Sequence, residues 1–239
     1  MPSEAALVEA LSRVRDPELD EPITDLGFVA ELRLEGRRVN ARLRLPTYFC
    51  APNFAYLMVA DARAALTSVP GVEEAWVTLE DHFASGEING GVEAERDFSA
   101  TFPGQADGEL AELRLLFDRK ALLVRQERLC QALIAHGHAA ADELATLRLG
   151  QVPPIPEKAA YLDRRGRLGL DLSDEAPLLV RPNGEQIPAE EAGRQLRFAR
   201  TVRVSIEGNA DLCRGLLRTR YDLPEGATET RRLGEEART

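Results

Sequence analysis

Cysteine is scarce in this chain. There are three in 239 residues, Cys50, Cys130 and Cys213, far apart and without any C-x-x-C. An odd, scattered set does not build a disulfide framework, and it excludes a four-cysteine zinc or cluster site within one chain. Aromatic residues make up only 5%, so aliphatic side chains must build the core. No apolar run approaches the roughly 18 residues of a membrane-spanning helix. Residues 1–14 lack the basic segment and long apolar stretch of a signal peptide, so the cytoplasm is the expected compartment. Positive charge is also short: 30 basic residues face 40 acidic ones, a net −10. That balance argues against general nucleic-acid binding, and Arg194, Arg197, Arg200 and Arg203 read as a solvated stretch. No G-x-x-x-x-G-K-[ST], G-x-S-x-G or H-E-x-x-H is present, so an ATPase and the common hydrolase templates have no support.

The pattern that is present is that of an α+β protein. Residues 3–14 place Leu7, Val8, Leu11 and Val14 on one helical face, with Ser3 as a cap. Asp16-Pro17 ends that helix. Phe28, Ala30, Leu32 and Leu34 then alternate with Val29, Glu31 and Arg33. Val39, Ala41, Leu43 and Leu45 alternate with Asn40, Arg42 and Arg44. With Glu35-Gly36-Arg37 between them, these are the two strands of a hairpin. A helix is expected over 52–66, opened by Pro52. Val69-Pro70-Gly71 is a turn, and Ala75, Val77 and Leu79 mark a third strand. The expected order is α-β-β-α-β.

Four regions are expected: a domain over 1–88, a linker over 89–108, a mixed helix and strand region over 109–223, and a disordered tail over 224–239. The glycines of 84–108 read as loop. A long helix is expected over 109–135, and short strands over 160–187. Another helix is expected over 190–198, a strand over 201–206, and a last helix capped by Asn209.

Three stretches carry the candidate chemistry. They are DPELDEPITDLGFV from Asp16, LPTYFCAPNF from Leu45 and VPGVEEAWVTL from Val69. Cys50 falls where a strand ends and a helix begins. Unpaired N–H groups and the helix dipole there favour a thiolate, which is a nucleophile and a soft ligand for iron. The competing reading is a buried structural cysteine. In order and spacing the three stretches resemble the SufT/PaaD-like metal–sulfur cluster assembly factors. Asp16, Pro17 and Glu18 match one motif, Asp25, Leu26 and Gly27 a second, and Thr47 and Cys50 a third. Unlike the family pattern, Ala51 stands between Cys50 and Pro52, and Thr47 precedes Cys50 by three residues.

The resemblance implies an assembly factor rather than an enzyme. It would carry iron or an iron–sulfur cluster transiently, with Cys50 as ligand. The implied partners are a client metalloprotein, such as an oxygenase component, or a cluster assembly scaffold. One cysteine cannot hold a cluster alone, so a homodimer or the client would supply further ligands. Asp25 and His82 are candidate additional metal ligands; Asp25 equally reads as a turn residue and His82 as a surface loop histidine. Asp16, Glu18, Gly27 and Thr47 are candidate supporting residues. His136 and His138 form an H-x-H pair at a helix end, where positive charge is favourable without metal. Cys130 and Cys213 read as core residues. Two other functions fit the same residues: an adaptor that keeps the fold without metal chemistry, and a thiol enzyme with Cys50 as nucleophile.

Overall fold

The computed structural model describes residues 1–103 and 110–224. They divide into two compact units. The first comprises Met1–Leu110 together with the chain from Gly208 onward, and the second is Ala111–Glu207. Part of the expected linker, residue 109 and all but the first residue of the expected tail lie outside the described residues. Among the described residues no helix is long and apolar enough to cross a membrane.

In the first unit the elements follow the α-β-β-α-β order. They are α1 (Glu4–Ser12), β1 (Val29–Glu35), β2 (Arg38–Leu43), α2 (Pro52–Thr67) and β3 (Glu74–Leu79). The Ser3 side chain accepts from the Ala6 N–H at 3.2 Å and caps α1. β1 and β2 pair antiparallel with Glu35 opposite Arg38, so Gly36 and Arg37 form a two-residue turn. Gly36 has φ 67°, which glycine adopts without strain. The register shifts between Val29 and Glu31. This bulge breaks the expected alternation and leaves both Phe28 and Val29 buried. β3 pairs parallel with β2, from Arg38 opposite Glu74 to Leu43 opposite Leu79. The sheet order is β1-β2-β3, and α2 is the crossover that a parallel pair requires.

One face of the sheet is covered. Leu32, Val39, Ala41, Leu43, Ala75, Val77 and Leu79 share a core with Leu7 and Leu11 of α1 and with Ala55, Met58, Val59, Ala62 and Leu66 of α2. The stretch read as loop is instead α3 (Ser85–Glu93) and α4 (Phe98–Thr101). Ile88, Val92, Phe98 and Phe102 are buried in the same core. Asn89 acts as a clamp: its Oδ1 accepts from the Leu79 N–H at 2.8 Å and its Nδ2 donates to the Leu79 carbonyl at 3.1 Å. One of the glycines that suggested a loop has a packing role: a Cβ at Gly91 would collide with the Thr101 side chain.

The second unit is helical. It contains most of α5 (Leu110–Ala135), all of α6 (Pro156–Arg167) and the beginning of α7 (Ala189–Tyr221). Leu122, Leu129, Cys130 and Leu133 pack with Tyr161, Leu178, Leu179 and Ile187. The strands expected over 160–187 are absent from the described residues. Arg164 and Arg165 lie inside α6, and only isolated bridges, Arg148 with Pro177 and Val180 with Gln186, remain. Arg164 pairs with Asp118, and Arg165 donates to the Pro177 carbonyl at 2.8 Å. The strand expected over 201–206 is also helix. Its β-branched alternation is overridden by a pair at helical spacing, Arg203 with Glu207, and by the bond from Arg203 to buried Glu127. Asn209 lies within α7 rather than capping a new helix.

Ile88 is fully buried. Ile88→Ala is expected to lower the denaturant-unfolding free energy of the full chain by about 2–5 kcal/mol. A change below about 0.5 kcal/mol would show that α3 does not belong to the core.

Candidate functional site

Parallel pairing decides where the site forms. β2 and β3 run the same way, so the segments leaving their C-terminal ends emerge at the same edge of the sheet. After β2 comes the loop from Arg44 to Ala51, with Cys50. After β3 come Glu80, Asp81 and His82. These segments are bonded together: the Phe83 N–H donates to the Tyr48 carbonyl at 3.2 Å.

Cys50 is half-buried and its thiol is free. The Thr47 hydroxyl lies 3.3 Å from its Sγ. α2 begins directly after it, with Ala51 at the cap position and Pro52 at the first helical position. No cap side chain accepts from the first turn. The positive end of the α2 dipole therefore lies at the cysteine loop.

His82 is buried, not a surface residue, with 3% of its area exposed. The Ala84 N–H donates to its Nδ1 at 3.2 Å. That leaves the proton on Nε2, which donates to the Cys50 carbonyl at 2.7 Å. Both ring nitrogens are thus engaged with backbone, and His82 touches the main chain of Cys50 rather than its sulfur. Burial pushes the imidazole below its ordinary value, and the Arg220 charge adds to this, while the bond to the Cys50 carbonyl opposes it.

Asp16 is buried, and its Oδ1 accepts from the Glu18 and Leu19 N–H groups at 2.9 and 2.8 Å. It shapes the turn after α1. Burial raises its carboxyl to about 6, against those two hydrogen bonds. Glu18 is half-buried. Gly27 has φ 75°, a backbone requirement. Asp25 is exposed, and the Thr24 hydroxyl donates to its carboxylate at 3.1 Å. Among the described residues no three His, Cys, Asp or Glu side chains are grouped to hold a metal ion. Cys50, Asp25 and His82 therefore do not form a ready-made three-ligand set.

Sequence reasoning missed two features of this edge. The first is aromatic. Tyr48, Phe49 and Phe83 form a cluster with ring centroids 5.0 to 6.4 Å apart. All three are exposed, Phe49 to 77%. Three adjacent apolar rings in water beside a thiol are unusual for a surface without a partner. The pair Tyr48-Phe49 before Cys50 was a visible signal. The second feature is the end of α7. Arg220 donates to the Leu45 carbonyl at 3.1 Å and to the Asp81 carbonyl. Tyr221 stacks beneath the Arg44 and Arg220 guanidinium groups. Nothing local in the sequence announces these contacts.

Residues 4–78 match the model of a family described as iron-sulfur cluster assembly protein. The match contains Asp16, Glu18, Asp25, Gly27, Thr47 and Cys50. His82, Phe83 and everything from α3 onward lie beyond it. No curated protein matches the chain significantly.

His82→Ala removes the partner of two backbone groups. It is expected to cost about 1–3 kcal/mol in chemical denaturation at neutral pH and to speed proteolysis of the 45–51 loop. In the wild type the unfolded chain takes up the His82 proton near pH 6.5, above the depressed folded value. The contribution of His82 is therefore present above about pH 6.5 and is lost as the pH falls through the folded value. The variant should lack this part of the pH dependence. An identical pH–stability profile would remove His82 from the account.

Proposed function

We propose that the chain is an iron–sulfur cluster or iron-site assembly factor of the SufT/PaaD-like kind, in which Cys50 is a transient ligand for the cargo. The observation that carries the reading is the position of Cys50 within the matched segment. It is a half-exposed thiol at the C-terminal edge of a parallel strand pair, with its carbonyl held by His82 and its sulfur beside Thr47. A soft thiolate is a suitable iron ligand. The transfer partner would be a client metalloprotein, such as an oxygenase component, or a scaffold in the cytoplasm. The exposed rings of Tyr48, Phe49 and Phe83 support a protein partner, because docking over them would exclude water from the sulfur during transfer. Asp25 is exposed and bonded to the Thr24 hydroxyl, and it would supply an oxygen ligand only after rearrangement.

The same rings favour a second reading, an adaptor that binds the client without carrying metal. Anaerobic loading with iron(II), with and without sulfide, separates the two. Metal per chain and the Mössbauer spectrum are measured for wild type and Cys50→Ala. The carrier reading expects stoichiometric iron in the wild type and its loss in the variant. Equal binding in both, or none in either, would overturn it and leave the adaptor.

A further inference from the structure

The pairing of β2 with β3 stops just short of the site. Leu43 and Leu79 are the last register partners, and the Glu80 N–H donates to the Leu43 carbonyl at 2.9 Å. Leu45 and Asp81 each lie two residues further on. At that level a side chain takes over. Arg220 donates from Nη1 to the Leu45 carbonyl at 3.1 Å and from Nη2 to the Asp81 carbonyl. Two arms of one planar guanidinium thus extend the join between the strands. Asp81 has φ 48°, a left-handed conformation that a non-glycine residue keeps only where its surroundings hold it. Directly after this turn, His82 reaches the Cys50 carbonyl and the Phe83 N–H reaches the Tyr48 carbonyl. Arg220 is itself fixed. Its Cζ lies 5.2 Å from the centre of the Tyr221 ring. Arg44, whose Nε donates to the Gly27 carbonyl at 3.4 Å, lies 5.1 Å from the same ring. Leu217 is buried in the core of the first unit, and Arg214 pairs with Glu21. The chain from Gly208 onward belongs to that unit, so the clamp and the loops it joins are parts of one compact body.

We propose that Arg220 is the positioning residue of the Cys50 site. Its two-armed contact sets the spacing between the cysteine loop and the His82 turn, and through them the place of the Cys50 sulfur. Arg220 acts through the Leu45 and Asp81 carbonyls, not on the sulfur itself. Its effect on iron handling rests on the reading of Cys50 as the iron-handling thiol; its hold on the two loops stands apart from that reading. The fork is the decisive feature. Hydrogen bonds from a charged donor are stronger than neutral ones, and a rigid fork fixes two acceptors at one spacing. A lysine ammonium is a point charge on a flexible stem and does not fix that spacing. Arg220 lies far beyond the matched segment 4–78, so that segment by itself lacks one support of its own cysteine loop.

The test compares the full chain with Arg220→Ala, Arg220→Lys and, as a control on the same helix, Arg218→Ala at an exposed position. Three quantities are measured anaerobically: hydrogen exchange of the Phe83 and Ala84 amides, the rate of Cys50 alkylation by iodoacetamide, and the affinity for iron(II). Both Arg220 variants are expected to exchange these amides about tenfold faster, as loss of a charge-assisted bond implies. They should also alkylate Cys50 faster and bind iron(II) about tenfold more weakly. The β2 amides should exchange as in the wild type, which shows that the fold is kept, and Arg218→Ala should match the wild type throughout. If the β2 amides of Arg220→Ala also exchange faster, Arg220→Lys alone decides. Wild-type exchange and alkylation in Arg220→Lys would show that charge suffices and overturn the fork. An equal effect in Arg218→Ala would overturn it too. Loosened loops with unchanged iron affinity would remove Arg220 from iron positioning and leave the Cys50 reading intact. Iron bound equally by wild type and Cys50→Ala, or by neither, would overturn the Cys50 reading, while exchange and alkylation still decide whether Arg220 holds the loops.

Discussion

The parallel pairing of β2 with β3 is the constraint on which the site depends. A parallel pair cannot be joined by a tight turn, so the chain must cross over, here through α2. The crossover puts a strand-to-helix junction at the C-terminal end of β2, and Cys50 sits at that junction. It also puts the end of β3, with Asp81 and His82, beside it. Had β3 paired antiparallel in the same register span, His82 would emerge at the opposite edge. The buried bonds from His82 to the Cys50 carbonyl and from the Ala84 N–H to His82 then hold the two segments together. Cys50 is thus positioned through its backbone, which leaves the sulfur available.

The surroundings of Cys50 combine groups with different physical roles. Thr47 contacts the sulfur, Asp16 shapes a neighbouring turn, and Tyr48, Phe49 and Phe83 keep an apolar surface in water. Exposed aromatic rings cost solvation in the isolated chain and are useful where a partner covers them. Among the described residues no three His, Cys, Asp or Glu side chains are grouped to hold a metal ion, so in the proposed carrier reading a client or a second copy would have to supply the remaining ligands.

Much of the first unit was legible in local pattern. The hairpin declares itself by period-two alternation around Gly36, and α2 by Pro52 and its apolar stripe. What failed was context. Gly86, Gly90 and Gly91 suggested loop, but Gly91 is needed for close packing against Thr101, and Asn89 clamps β3. Val202, Val204 and Ile206 alternate as a strand would, yet Arg203 is drawn to buried Glu127 and paired with Glu207 at helical spacing. At the site, Cys50 and Thr47 were visible because they are local to one junction. The burial of His82 and the bonds from Arg220 to the Leu45 and Asp81 carbonyls were not, because each depends on contacts between segments distant in sequence.

Differential alkylation of Cys50 tests the central claim most directly. Iodoacetamide labelling of the full chain would be followed by mass spectrometry, for the iron-free protein and for protein loaded anaerobically with iron and sulfide. The account predicts ready labelling of Cys50 without iron and strong protection once loaded, with buried Cys130 unlabelled in both. Equal labelling of Cys50 in the two states, with iron bound, would place the metal elsewhere and contradict the account.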